Sequence, residues 1–204
     1  MKFELMEERA KLGDFEWDIL RSTILGTYVK YWGMPEFRKI AHKKEHKIEV
    51  YFFPSTAKVG ISRFATVGLC LTGETDKLIK QELLLCLPAD LGGATLEEAF
   101  NFVLDFSVHV KRYANINQLP CFFPESLTTP LSWRTWSFMI DEARSEPEEM
   151  SEMIVGNFEF SLKWIIPLHK SEFDFIKTFG IDQFDGISDK NELSLIDMTR
   201  KPMV

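Results

Sequence analysis

Three segments in the first half of the chain place apolar side chains at every second residue, so that they share one face. They are KIEVYFF at 47–53, ISRFATVGLCL at 61–71 and QELLLCL at 81–87. Successive side chains of a β-strand point to opposite faces of a sheet, so this period predicts three strands with one buried face each. The segment TGETDK at 72–77 has the composition of a hairpin connection. We therefore predict an antiparallel meander.

Three further segments, in the second half of the chain, also have strand character. The alternation is cleanest in NFEFSLKWII at 157–166, and Pro167 is expected to end this strand because a proline cannot donate to a β-ladder. WSFMI at 136–140 and ELSLIDM at 192–198 predict two shorter strands. The chain is therefore expected to form an α+β fold, with a largely antiparallel, twisted sheet of about six strands and helices packed on it.

An N-terminal helix is indicated by the apolar spacing of FEWDILRSTILGTYVKYW at 15–32. Asp14 is suited to the N-cap position, and Gly33 followed by Pro35 is the usual order at a helix end. We predict a helix over 14–32, preceded by an N-terminal extension at 1–13. The 204 residues fit a single domain spanning 1–204.

Two later helices are predicted from their start and stop signals. Thr95 and Glu98 form a capping box before a run with helical period that extends to 113. Near the C-terminus, Ser171 stands where an N-cap belongs and Gly180 supplies a stop signal. The junction that contains Ser171 is therefore interpreted as a structural corner between a strand and a helix.

No catalytic, cofactor or metal site is predicted from the residue patterns. Ser171 follows a histidine and a lysine but lacks the strained GxSxG elbow of a serine nucleophile. His42 and His46 are four residues apart, as on one helical face, yet Lys43 stands where the HExxH zinc motif requires glutamate. Gly92 and its neighbour lack the spacing of a phosphate loop. A metal-dependent enzyme using the two histidines remains the third hypothesis.

The charge balance and composition narrow the class of protein. The net charge of −7, from 31 acidic and 24 basic residues, disfavours nucleic acid as a partner. Three scattered cysteines suit a reducing compartment, and no apolar run resembles a signal peptide or a membrane span. We expect a cytoplasmic protein that binds neither nucleic acid nor membrane.

One stretch, DEARSEPEEMSEM at 141–153, is notably acidic and lacks the spacing of a calcium loop. It is either a solvated loop or a surface that docks a basic protein partner. The candidate partner-binding residues are Asp141, Glu142, Glu146, Glu148, Glu149 and Glu152.

Six segments form a recognisable series along the chain: YWGMPEFRKI at 31–40, HKIEVYFFPST at 46–56, ATVGLCLTG at 65–73, QELLLCLP at 81–88, WIIPLHKSEFDFIKTFG at 164–180 and LIDMTRKP at 195–202. In this order, they resemble the suppressor of fused domain family. The resemblance runs from about residue 24 to the C-terminus, with a departure at the last motif, where two residues separate Asp197 from Arg200.

This resemblance implies a single α+β domain that binds proteins and has no enzymatic activity. Many bacterial relatives look like immunity proteins, each of which binds and blocks one polymorphic toxin. Eukaryotic relatives restrain transcription factors by clamping a short peptide, which adds as a β-strand. We therefore expect an immunity-type protein with a cognate toxin domain as its partner, or alternatively a regulatory module that captures an extended peptide.

Overall fold

The structure is a computed structural model of the chain. It describes residues 14–43, 46–57, 59–71, 80–113, 119–156, 158–191 and 194–204. The predicted N-terminal extension at 1–13 and the predicted hairpin connection at 72–77 lie outside the described residues.

A mixed sheet dominates the described part of the chain. Its strand order is β1-β2-β3-β4-β8-β6-β5, and β7 pairs with β8 beside this path. Every pairing is antiparallel except β4 with β8. The strands are β1 (Phe37–Lys43), β2 (His46–Phe53), β3 (Ile61–Val67), β4 (Gln81–Pro88), β5 (Cys121–Phe123), β6 (Ser137–Glu142), β7 (Met153–Val155) and β8 (Phe158–Leu168). The predicted α+β class and the meander β2-β3-β4 are confirmed, with eight strands where about six were expected.

Helices cover both faces of this sheet. On one face lies α2, and on the other lie α1, α3 and α4. Their bounds are α1 (Asp14–Trp32), α2 (Leu96–Tyr113), α3 (Lys170–Phe179) and α4 (Ile181–Asn191). A central strand is therefore buried on both sides: Val50 of β2 packs towards α2, whereas Phe53 packs towards α1. No helix in the described part of the chain is both long enough and apolar enough to cross a membrane.

The predicted end of α1 at Trp32 and the predicted start of α2 after Thr95 are confirmed. On α1, the N–H of Gly33 donates to the carbonyl of Val29 at 3.0 Å, and Gly33 adopts a φ of 85°, a conformation that glycine accepts readily. On α2, Glu98 accepts hydrogen bonds from the backbone and the hydroxyl of Thr95, which completes the predicted capping box.

The strand predicted over 61–71 is shorter than expected. It ends at Val67, because Gly68 has a φ of 98° and a 3₁₀ turn, Leu69–Leu71, follows. A Cβ at Gly68 would lie 2.2 Å from the Trp17 ring, so a residue with a side chain would force that ring to shift. The buried carboxylate of Glu82 accepts hydrogen bonds from the N–H groups of this turn and so ties the turn to β4.

The predictions for Pro167 and Ser171 were wrong. Strand β8 continues through Pro167 to Leu168, where β4 no longer pairs with it and a missing N–H is tolerated at the free edge. The N-cap of α3 is His169, because Glu172 reaches back to accept the His169 N–H at 2.8 Å. The corner therefore starts two residues earlier than Ser171 suggested.

Two further assignments also differ from the sequence prediction. The segment around 192–198 forms turns in its described part, where the Met198 carbonyl accepts the Arg134 N–H at 2.8 Å. Conversely, β1 and β2 form a hairpin in which His42 pairs with Lys47 and Lys43 pairs with His46. His42 and His46 thus lie on successive strands and share no helical face.

Candidate protein-docking surface

The acidic stretch links β6 to β7 and lies beside the C-terminal end of α1. Its most buried acid, Glu146, has a side chain only 7% exposed. One carboxylate oxygen accepts from Trp32 Nε1 at 2.7 Å, and the other accepts from Arg63 Nε at 2.8 Å. Glu146 therefore ties the stretch to α1 and β3 and faces the interior.

Two other candidate acids are paired within the protein. Asp141 accepts from Arg144 at 2.8 Å, and the same guanidinium donates to Asp185 of α4 at 2.8 Å. Glu142 accepts from the buried Lys163 at 2.6 Å but is itself exposed. Asp141 thus fixes the end of β6, whereas Glu142 still presents charge to solvent.

The remaining candidate acids are exposed. Glu149 accepts a hydrogen bond from the Tyr31 hydroxyl and lies 3.7 Å from Lys30 Nζ, and the pKa of its carboxyl is lowered chiefly by the Tyr31 contact. Glu148 and Glu152 are also exposed. The structure brings Glu142 and Glu152 into one groove with exposed Glu159 of β8, which was not among the candidate residues.

Two adjoining grooves run along this acidic region. The larger, of about 440 Å³, is lined by Glu142, Glu152 and Glu159 and has Lys163 in its wall. The smaller, of about 200 Å³, lies between α1 and β7 and is lined by Glu149 and Glu152 among others. Glu152 and Phe160 line both grooves, so the two grooves are continuous with each other.

Exposed apolar side chains accompany the charges. Ile154 on β7 is 65% exposed and Phe158 on β8 is 37% exposed. In the β7–β8 pairing, Ile154 lies opposite Glu159. Phe158 lies opposite Val155, so it belongs to the other face of the β7–β8 ribbon from Ile154 and Glu159. We call this region the acidic groove surface and define it by Glu142, Glu148, Glu149, Glu152, Ile154 and Glu159.

The residues at the corner after β8 stabilise the fold through hydrogen bonds to the C-terminal segment. Glu172 is fully buried and accepts from both terminal nitrogens of Arg200, at 2.7 Å for Nη2, and from the Met203 N–H at 3.0 Å. His169 Nε2 lies 2.9 Å from the Arg200 carbonyl oxygen. These contacts fasten the C-terminal segment to α3 and leave Ser171 exposed on the helix surface.

Two of the cysteines are buried as neutral groups. Burial raises the pKa of the Cys86 thiol to about 12 and raises that of Cys70 well above its ordinary value. Both thiols therefore remain protonated at neutral pH and act as small apolar side chains. Among the described residues, no group of three or more His, Cys, Asp or Glu is arranged to hold a metal ion.

No protein-family model matches the chain, and no functionally curated protein matches its sequence. Solved structures do match. A Neisseria gonorrhoeae protein described as a suppressor of fused homologue has a TM-score of 0.69 at 14% identity, and the match covers 91% of this chain and 97% of that one.

Two further structures extend the comparison. A chain of the Sufu–Fu complex has a TM-score of 0.54 at 12% identity, with 84% of this chain and 82% of that chain covered. Drosophila Suppressor of Fused has a TM-score of 0.54 at 9% identity, with 77% of this chain and 42% of that chain covered. These likenesses show that the chain has the suppressor of fused-like fold that its sequence motifs predicted.

Proposed function

We propose that this chain is a non-enzymatic protein-binding domain of the immunity type, which binds a bacterial toxin and neutralises it by occlusion. The observation that carries the proposal is the acidic groove surface. There, exposed carboxylates line two adjoining grooves, and the exposed Ile154 lies in the wall of one of them. A structure with the same fold is part of the Sufu–Fu complex, which supports protein binding as the general role.

The chemistry of this surface favours a basic partner. Clustered carboxylates on a protein with a net charge of −7 attract a cationic domain and increase its association rate. Ile154 supplies apolar contact area that the approaching partner can bury. A toxin domain with a basic active-site cleft would be covered by such a surface, and its substrate would then be excluded.

The proposal can be tested by affinity capture from the native host with the tagged protein, followed by mass spectrometry. We expect a near-stoichiometric toxin domain among the captured proteins. Co-expression should then rescue cells from that toxin. A variant with Glu152→Lys and Glu159→Lys should lose the rescue. The control is Asp105→Lys, an exposed position on α2, which packs on the other face of the sheet; this variant should keep the rescue. A captured toxin whose effect is unchanged by the chain would contradict the proposal.

The second candidate function is capture of an extended regulatory peptide. It is favoured by β1, a seven-residue strand at the end of the sheet that pairs with β2 alone among the described strands. An added strand could hydrogen-bond to its open edge. A chromosomal neighbour that encodes a regulator would favour this function, and a neighbouring toxin gene would favour immunity.

A further inference from the structure

Three cations converge on one buried carboxylate beside the N-terminal half of α1. Glu49 of β2 is fully buried, and Arg21 of α1 donates to it at 2.7 Å through Nε. Lys47 Nζ lies 3.2 Å from the other carboxylate oxygen, and Arg38 Nη1 of β1 lies 3.6 Å from the first. The Tyr51 hydroxyl bonds to both Glu49 and Arg21.

The charges in this cluster do not balance. Arg21, Lys47 and Arg38 share the single negative charge of Glu49, so three positive charges against one negative give these four described side chains a net charge of +2. The side chains of Arg38 and Lys47 are 45% and 39% exposed, so both reach solvent. At 3.6 Å the contact of Arg38 with Glu49 is too long for a hydrogen bond. Arg38 is hydrogen-bonded to Tyr51 instead, and because a guanidinium has five N–H donors, donors remain for a ligand.

The backbone arrangement holds the two exposed cations on the same face. Arg38 lies opposite Tyr51 in the β1–β2 hairpin, and residues 38, 40 and 42 of β1 share the face of Lys47, Glu49 and Tyr51. Lys47 is further positioned over the Trp17 ring, with Nζ 5.8 Å from its centre. The indole N–H of Trp17 is buried and has no acceptor among the described residues.

From this geometry we propose that Arg38 and Lys47 bind a phosphate monoester dianion. Two excess positive charges match the two negative charges of such a group at neutral pH. A guanidinium presents paired donors that fit phosphate oxygens, and a lysine adds a third donor from the side. Glu49 and Arg21 act beneath them as the support that keeps the cations together. The proposal is independent of the acidic groove surface and of toxin binding.

The same chemistry has two sources, a free phosphate compound or a phosphorylated side chain of a protein. Two probes distinguish them: inorganic phosphate and the peptide Ala-Ala-phosphoserine-Ala-Ala. Binding is measured by calorimetry at constant ionic strength and by NMR of the Trp17 indole, which reports beside Lys47. Tighter binding of the peptide than of inorganic phosphate assigns the source to a protein, and the reverse order assigns it to a small molecule.

We expect saturable binding of at least one probe, with a shift of the Trp17 signal. Arg38→Gln and Lys47→Gln should each weaken it about tenfold or more, since each removes a charge-assisted contact. The matched control is Lys39→Gln, which removes the same charge from the other face of β1, where Lys39 contacts Glu97 and Asn101 of α2. Absence of saturable binding by the wild-type protein, or equal weakening by Lys39→Gln, would overturn the proposal.

Discussion

Glu172 and Arg200 form an ion pair that is buried from solvent on both sides, although they lie 28 positions apart in the chain. The pair closes the corner between β8 and α3 and fixes the segment that follows α4. Because each partner would be left as an uncompensated buried charge without the other, the pair is a requirement of the fold whether or not it adds net stability.

We expect Arg200→Met to lower the free energy of unfolding by about 3–5 kcal/mol, because the buried Glu172 would lose the guanidinium that pairs with it. Urea denaturation monitored by circular dichroism measures this change. The control is Lys170→Met, which removes an exposed ion pair with Asp174 on the same helix and should cost at most about 1 kcal/mol. Equal losses in the two variants would contradict the role assigned to burial.

The acids of the 141–153 stretch should separate into two classes. Glu146→Gln is expected to lower the free energy of unfolding by about 1–3 kcal/mol, since it weakens the contacts with Arg63 and Trp32. Exposed Glu148→Gln should leave stability within about 0.5 kcal/mol of the wild type. Thermal melts of both variants at one pH test this, and a stability loss confined to Glu148→Gln would refute it.

Neutralising the exposed acids should slow partner binding without affecting the fold. A variant with Glu148→Gln and Glu152→Gln is expected to associate more slowly with the captured partner and to show a flatter dependence of the association rate on salt. Stopped-flow kinetics between 50 and 300 mM salt would measure both effects. The control Asp105→Gln should associate at the wild-type rate, and an unchanged salt dependence in the double variant would argue against the acidic groove surface.

Gly92 illustrates a close approach of backbone to side chain. It has a φ of 64°, and a Cβ there would lie 3.0 Å from Cβ of Met198 and 3.3 Å from Nε1 of Trp133. Gly92→Ala should therefore lower the free energy of unfolding in two ways, through a backbone strain of about 1–2 kcal/mol and through the displacement of these neighbours. Gly156→Ala is the control: Gly156 has a φ of 60° and open space around it, so this substitution introduces the backbone strain without a steric clash. Chemical denaturation should give a larger loss for Gly92→Ala, and equal losses would show that its neighbours yield freely.

Two buried glutamates should give opposite dependences of stability on pH. Burial raises the pKa of Glu82, although bonds from Thr66 and the backbone oppose it. Its folded pKa exceeds the unfolded value, so its contribution is complete below the unfolded pKa and is lost as pH rises through the folded one. The free energy of unfolding of the wild type, relative to Glu82→Gln, should therefore fall as pH rises from about 4.

Glu49 provides the internal comparison. Burial acts to raise its pKa, but contacts with Tyr51, Arg21 and Lys47 outweigh burial and lower it. Its contribution is present above the unfolded pKa and is lost as pH falls through the folded one. Denaturation curves from pH 3 to 8 should thus give slopes of opposite sign for Glu49→Gln and Glu82→Gln, each relative to the wild type. Slopes of the same sign would show that one of the two directions is wrong.

The sequence predicted the elements whose pattern is long and local. Strand β2 alternates over most of its length, β4 carries a continuous apolar run, and α2 carries its own capping box, so their identity did not depend on distant contacts. Strand β1 escaped prediction because FRKIAHK lies at the sheet edge and has no regular apolar alternation. Strands β5 and β7 have three residues each, which is too short for any period.

The candidate site was predictable only in part. The charge of a segment can be read from its own residues, whereas the exposure of each side chain depends on contacts with distant parts of the chain. The acidic composition of 141–153 identified the region. Whether a given acid faces solvent depends on partners far away in the chain, such as Arg63 for Glu146. The cations of the proposed phosphate site are likewise scattered along the sequence, and only the β1–β2 hairpin and α1 bring them to Glu49.

The parallel pairing of β4 with β8 also has a consequence for synthesis of the protein. Gln81 finds its neighbour only when Ser161 has been made, and at about 5–20 residues per second translation takes roughly 4–16 s to cover that distance. During this interval the apolar strand QELLLCLP has one edge without its neighbour on the ribosome. A ribosome-associated chaperone could bind this unpaired apolar edge. A translational pause between the two strands would lengthen the time during which the edge can pair with other chains and aggregate.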